Sequence, residues 1–173
     1  MVMLSLSIAC LVLAGGTDSE HLIVPGKSIG EIKIGDDFEK LTAHRKKPNF
    51  GDAAMGHLWA TWLQEKEGRL DVYAVRGAGN MPRLQSIRIT SAAFRLVNGL
   101  HVGSSMADLE KAWPRARRLH FMHGFSMWDD AKYGLVFEGQ RDKCVALAVH
   151  PAGQWIQQSY IPYLSGGMAV VGH

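Results

Sequence analysis

Apolar and polar positions fall into the same order twice along the chain. Ile29-Gly-Glu-Ile-Lys-Ile-Gly-Asp-Asp-Phe-Glu-Lys-Leu41 alternates apolar with polar residues, reaches a glycine, and passes through a polar pair into an amphipathic run, and Val97-Asn-Gly-Leu-His-Val-Gly-Ser-Ser-Met-Ala-Asp-Leu109 does the same. Setting Gly35 on Gly103, an offset of 68 residues, places Ile32 on Leu100, Ile34 on Val102, Phe38 on Met106 and Leu41 on Leu109. Self-similarity over that length predicts a duplicated subdomain rather than a solenoid. Each copy reads as a strand-to-helix corner. The alternation of Ile32 and Ile34 with Glu31 and Lys33 is the period of a half-buried strand, and each glycine supplies a backbone that a Cβ resists. Asp36-Asp37 and Ser104-Ser105 then offer oxygens to cap a helix start. The helices should bury Phe38 and Leu41 in one copy, Met106 and Leu109 in the other, and stop at Pro48 and Pro114.

After the first helix, Pro48 to Met55 reads as a loop, followed by strands His57–Leu63, Leu70–Val75 and Leu84–Thr90 with hairpin chemistry between them. The second copy offers strands Leu119–Trp128, Tyr133–Glu138 and Cys144–His150, with turns at Asp129-Asp130 and Gly139 to Asp142. The expected fold class is therefore α+β: two tandem repeats, each a helical N-terminal segment packed on an antiparallel β-sheet. Residues 17–94 form repeat unit 1, 95–151 repeat unit 2, and 152–173 a C-terminal extension in which Trp155 and Tyr160 pack along the body.

The two corners resemble the strand-Gly-helix entry of the small envelope proteins of the SmpA/OmlA family, which carry a Lys-Ile-x-x-Gly-Met-Thr opening before a helix and a meander of strands. Asp36-Asp37 and Ser104-Ser105 stand where that family has Met-Thr. A tandem pair of such units looks like the β-lactamase inhibitory protein fold (BLIP-like). The resemblance covers roughly residues 25 to 151 and implies a non-catalytic module that binds another envelope or secreted protein.

Composition narrows the setting. The 173 residues are 47% hydrophobic, enough for one sizeable core or two fused ones, and a net charge of +3 gives no argument for nucleic acid as a partner. Residues 1 to 16 carry no charged side chain, and Met3 to Ala14 is a nearly unbroken apolar run ending in Gly15-Gly16. Its length suits a signal-peptide core and is too short to span a bilayer. Export to the periplasm or beyond is expected, with cleavage near residue 16. Leu13-Ala-Gly-Gly16 has glycine where a lipoprotein signal has its cysteine, so no lipid anchor is expected. Cys144 is then the only thiol of the mature chain. Six residues along one strand put it about 20 Å from His150, which excludes a Cys-His dyad.

Candidate chemistry is sparse. No phosphate loop, nucleophile elbow or paired Cys-x-x-Cys occurs. His120 and His123 face opposite sides of a strand, so neither a metal site nor a cofactor is expected, and Asp129-Asp130 reads as a turn former. Two basic clusters, Arg45, Lys46 and Lys47 with Arg115, Arg117 and Arg118, follow the two helices. They complement the helix dipoles, and weak contact with an anionic lipid or polymer is the sharper expectation. In a helix-on-sheet unit one sheet face stays open. Trp59, Trp62, Tyr73, Arg88, His123 and Trp128 are the residues expected to bind a partner there, with Trp59 and Trp62 on opposite faces and the outward one left open by the pattern. The alternative is a small hydrolase or ligand-binding protein that uses a histidine with Asp or Glu on the open face. Intact-mass measurement of protein from the native host is expected to show a start near Thr17 without a lipid adduct; a chain retaining Met1 would exclude export.

Overall fold

A computed structural model describes residues 19–64, 68–120 and 126–156 of the chain. A 3-10 turn (Ser19–His21) leads into β1 (Leu22–Val24), β2 (Ser28–Ile29), β3 (Ile32–Lys33) and helix α1 (Phe38–His44). Then come β4 (Phe50–Ala54), β5 (His57–Gln64), β6 (Gly68–Arg76), β7 (Pro82–Ile89) and β8 (Arg95–Leu96). Helix α2 (Met106–Ala112) is followed by β9 (Arg117–His120), β10 (Ser126–Asp130), β11 (Leu135–Gln140) and β12 (Lys143–Val149).

One antiparallel sheet of eight strands, in the order β4-β5-β6-β7-β12-β11-β10-β9, runs through both halves of the chain. Its seam is the antiparallel pairing of β7 with β12, where Ile87, Arg88 and Ile89 face Val149, Ala148 and Leu147. A second sheet, β3-β2-β1-β8, is small and holds one parallel pair, β1 with β8. Strand alternation gives the large sheet an inner face of Leu58, Ala60, Trp62, Leu70, Val72, Ile87, Ile89, Phe137, Leu147 and Val149. These residues form a single core with Ile23, Ile29, Ile32 and Leu96 of the small sheet and with Phe38, Met106 and Leu109 of the helices.

This architecture corrects the α+β expectation of two helix-on-sheet units. The protein is mostly β, its two helices are seven residues each, and the inner face is covered jointly by the helices and a second sheet. Two turns of helix can bury little, and the strands of two or three residues that complete the cover are too short to show a period of 2. The parallel β1/β8 pairing joins segments some 70 residues apart and is announced by no local turn.

Local expectations differ in three further places. Pro48 to Met55 contains strand β4, closed onto β5 by a hairpin whose loop residues Met55 and Gly56 have φ of 48° and 81°. Positive φ at both loop positions is the turn that matches strand twist, but Met-Gly is not its usual sequence signal. Leu119–Trp128 is not one strand, since β9 and β10 pair antiparallel with each other. Asp129 belongs to β10, and the turn begins only at Asp130, whose carbonyl accepts from Tyr133 and Gly134.

The two glycine corners are built bond for bond alike. Gly35, at φ 86°, donates to the Leu84 carbonyl and Leu84 donates back to Asp36, while Gly103, at φ 98°, donates to Cys144 and Cys144 donates back to Ser104. The Asp36 carboxylate accepts from Lys33 N–H at 2.8 Å and the Ser104 hydroxyl from His101 N–H at 3.0 Å. Asp37 and Ser105 cap α1 and α2. The second corner docks through Met106, which occupies the space a Cβ on Gly139 would need.

Cys144 is buried beneath this corner, where its thiol donates to the Ala146 carbonyl. Burial pushes the thiol up to about 12, against about 8.5 for an unfolded cysteine. The folded chain thus holds its proton where the unfolded chain releases it. The resulting stability is complete below about pH 8.5 and is lost as pH rises toward 12, by up to about 1.4 kcal/mol per pH unit. Urea unfolding across that range is expected to show this decline in the native protein and a flatter profile in Cys144→Ala.

Candidate functional site

The outer face of the large sheet carries the alternate residues of the same strands, and in its middle these are charged. The register sets Thr61 opposite Asp71, Asp71 opposite Arg88, Arg88 opposite Ala148, and Ala148 opposite Val136. Arg88 is 1% exposed. Its Nε and Nη2 donate to the two carboxylate oxygens of Glu138, each at 2.7 Å, and Nη1 donates to Asp71 Oδ2 at 2.9 Å. To reach Glu138 on β11 the side chain passes over β12, where Ala146 and Ala148 leave room for it. The remaining Asp71 oxygen accepts from the Thr61 hydroxyl and from Arg69 Nε, both at 2.7 Å. Burial by itself would lower the Arg88 pKa, but Glu138 first and Asp71 second outweigh it and raise the value. The guanidinium therefore stays charged, bonded to a carboxylate through each of its three nitrogens and closed to solvent, an arrangement that stitches strands rather than one that turns over a substrate.

A second buried cluster closes the other half of this face. His150 Nε2 lies 3.0 Å from Asp129 Oδ1, and the other Asp129 oxygen accepts from Ile156 N–H at 2.7 Å. His150 Nδ1 meets the Pro151 carbonyl, which only accepts, so Nδ1 carries a hydrogen. These bonds fold residues 150–156 back over the sheet, and Ile156 joins Met127, Val136 and Ala148 in a small outer core. Both side chains of the His-Asp pair are fully buried. The hydrolase alternative needs such a pair on an open surface.

The outer face is exposed instead at its β4–β5 margin. Phe50 is directly opposite Thr61, between Trp59 and Leu63, so the three apolar side chains neighbour one another on one side. Phe50 is 56% exposed, Leu63 52% exposed, and Trp59 half-buried. Tyr73, opposite Trp59 on β6, is buried and bonds His57 Nδ1 through its hydroxyl, their rings stacked at 5.9 Å.

Of the residues expected to bind a partner, Trp59, Tyr73 and Arg88 share the outer face, but only Trp59 reaches its surface. Trp62 and Trp128 lie on the inner face within the core. Trp62 donates Nε1–H to the Lys46 carbonyl at 2.7 Å, and Trp128 stacks on Phe137 at 5.7 Å. His123 and Tyr160 lie outside the described residues. The basic clusters are partly absorbed by aromatic rings, Arg45 over Trp62, Arg117 over Trp155 and Arg118 over Trp128, at 5.9, 4.8 and 5.2 Å. Asp71 and Glu138 escaped sequence reasoning, which read Asp129 only as a turn former and His150 only as one half of an excluded dyad. Their signal was a charge set where a strand's alternation places its second face, as in Leu70-Asp-Val and Ile87-Arg-Ile. Among the described residues no group of three or more His, Cys, Asp and Glu side chains is placed to hold a metal ion, and no helix is long and apolar enough to cross a membrane.

No family model and no curated protein matches the chain. Among solved structures it is similar to the uncharacterized protein yfeY from Escherichia coli, with a TM-score of 0.52 at 10% identity, over 73% of this chain and 98% of that one. An extracellular protein containing a SCP domain from Bacillus anthracis str. Ames aligns with a TM-score of 0.47 at 14% identity, over 79% of this chain. The chain spans about half the length of that protein, 50%. At such identities the likeness to yfeY is one of fold alone.

Removing Arg88 leaves the Glu138 carboxylate without the cation described beside it and Asp71 with Arg69 alone. Arg88→Met is expected to lower the unfolding free energy by about 3 to 5 kcal/mol, and adding Asp71→Asn and Glu138→Gln to recover part of that loss in chemical denaturation. A loss below about 1 kcal/mol would mean that the pairs behave as solvated surface bridges.

Proposed function

We propose that the protein is a non-catalytic binding module of the cell envelope, exported through its apolar N-terminal run, that grips another protein with the outer margin of β4 and β5. The observation that carries this reading is the cluster of Phe50 and Leu63, each more than half exposed, with Trp59 on a hairpin backed by the core. The same face is closed elsewhere by the Arg88 network and by Ile156. Large apolar side chains held by paired strands lose little freedom on binding, which is why such anchors dominate protein interfaces. The two buried ionic clusters act on strand geometry.

The test is capture of an envelope partner from host extract by immobilised protein, repeated with Phe50→Ala, Trp59→Ala and Leu63→Ser. Truncating Trp59 is expected to weaken capture by about 2 kcal/mol, or roughly thirtyfold, with the surface variants Phe50→Ala and Leu63→Ser keeping the unfolding free energy within about 0.5 kcal/mol. Undiminished capture by all three variants would remove the margin as the binding site.

A further inference from the structure

The two ends of the large sheet are treated differently. At one end β9 carries Arg117 and Arg118, the kind of charged edge that resists another strand. At the other end β4 pairs only with β5, and among the described residues no strand pairs with its second edge. All five β4 residues are exposed, and the strand has no lysine or proline and a single charge, Asp52. On the inner side of this edge lies a groove of about 730 Å³. Phe38 and Thr42 of α1 form one wall, Gly51, Ala53, Leu58 and Ala60 form its floor, and Phe50 and Trp59 also line it. Small floor residues beside an unpaired edge leave space for the alternate side chains of an added strand.

The occupant follows from charge and register. Lys47 lines the groove where β4 begins, Lys46 stands beside it, and both are exposed. Neither ammonium has an ion-pair partner among the described residues. A strand added antiparallel, as every pair in this sheet is, brings its C-terminal end to these lysines. A second copy paired antiparallel about the middle of β4 would set Asp52 against Asp52, which like charges oppose. We infer that β4 and the adjoining groove bind an extended segment of a partner protein by antiparallel strand addition, with aliphatic side chains entering the groove at every second position and an acidic C-terminal end against Lys46 and Lys47. The inference rests on the reading of the protein as a binding module, and its groove shares Phe50 and Trp59 with the apolar margin while leaving Leu63 outside it.

The probe is a fluorescein-labelled peptide of about eight residues that alternates valine with serine or threonine and ends in two aspartates and a free carboxylate. Fluorescence anisotropy is expected to show saturable binding to the full chain, weakened at least about tenfold when lysines replace the aspartates and abolished when alternate amides are N-methylated. Ala53→Leu, which fills the floor, and Lys46→Glu with Lys47→Glu, which leaves the floor intact, are each expected to cost at least about tenfold. Leu63→Ser, outside the groove, should leave peptide affinity unchanged. Equal affinity for the lysine-ended or N-methylated peptide, no binding at all, or a concentration-dependent dimer dissolved by Ala53→Leu would each overturn the inference. Partner capture that depends on Leu63 but survives Ala53→Leu and the lysine reversals would overturn it and leave the broader reading standing.

Discussion

Everything on the outer face depends on one buried guanidinium crossing a neighbouring strand. The β7/β12 seam is registered over only three residue pairs, Ile87 to Ile89 against Val149 to Leu147. Arg88 extends that seam outward by reaching over Ala148 and Ala146 to Glu138 while holding Asp71 on β6. It thereby ties β6, β7 and β11 together through charge-assisted bonds of fixed, forked geometry. A lysine has no such fork, and a bulkier residue at 146 or 148 would stand in the path. The desolvation of three ionised groups is offset only because each has a partner, which makes the network costly to break and poor as a reaction centre.

This stitching fixes where the protein can interact. The half of the outer face built from β10, β11 and β12 is sealed by the chain itself, through the Asp129 carboxylate that holds His150 and the Ile156 amide. Among the described residues the half built from β4 and β5 has no such clasp, and it ends in a strand whose residues are all exposed. The proposed binding accordingly falls on that margin, on its outer side through apolar side chains and on an edge that no second strand pairs among the described residues.

The tryptophans show how similar residues take different roles. Trp62 and Trp128 sit on the inner face of β5 and β10, each under an arginine that follows a helix, Arg45 and Arg118. They explain why basic clusters recur at those places: the stems and guanidinium planes cover ring edges at the rim of the core. Trp59, three residues before Trp62, falls on the opposite face for no reason but strand alternation.

The sequence alone determined the local features. The 68-residue echo marked both corners, because a glycine at positive φ followed by a capping oxygen is a local requirement that only a few residues meet. Alternation located most of the long strands, and it placed Trp59 and Trp62 on opposite faces. It did not reveal β4, whose Met-Gly hairpin lacks the usual turn residues, nor the small sheet, whose strands are shorter than the pattern that identifies a strand. Which tryptophan faces out, which half of the outer face is sealed, and the ionic partners of Arg88 were decided by tertiary structure. Each depends on strand order and on pairings between residues as far apart as Arg88 and Glu138, and a period of two says which residues share a face without saying what lies over it.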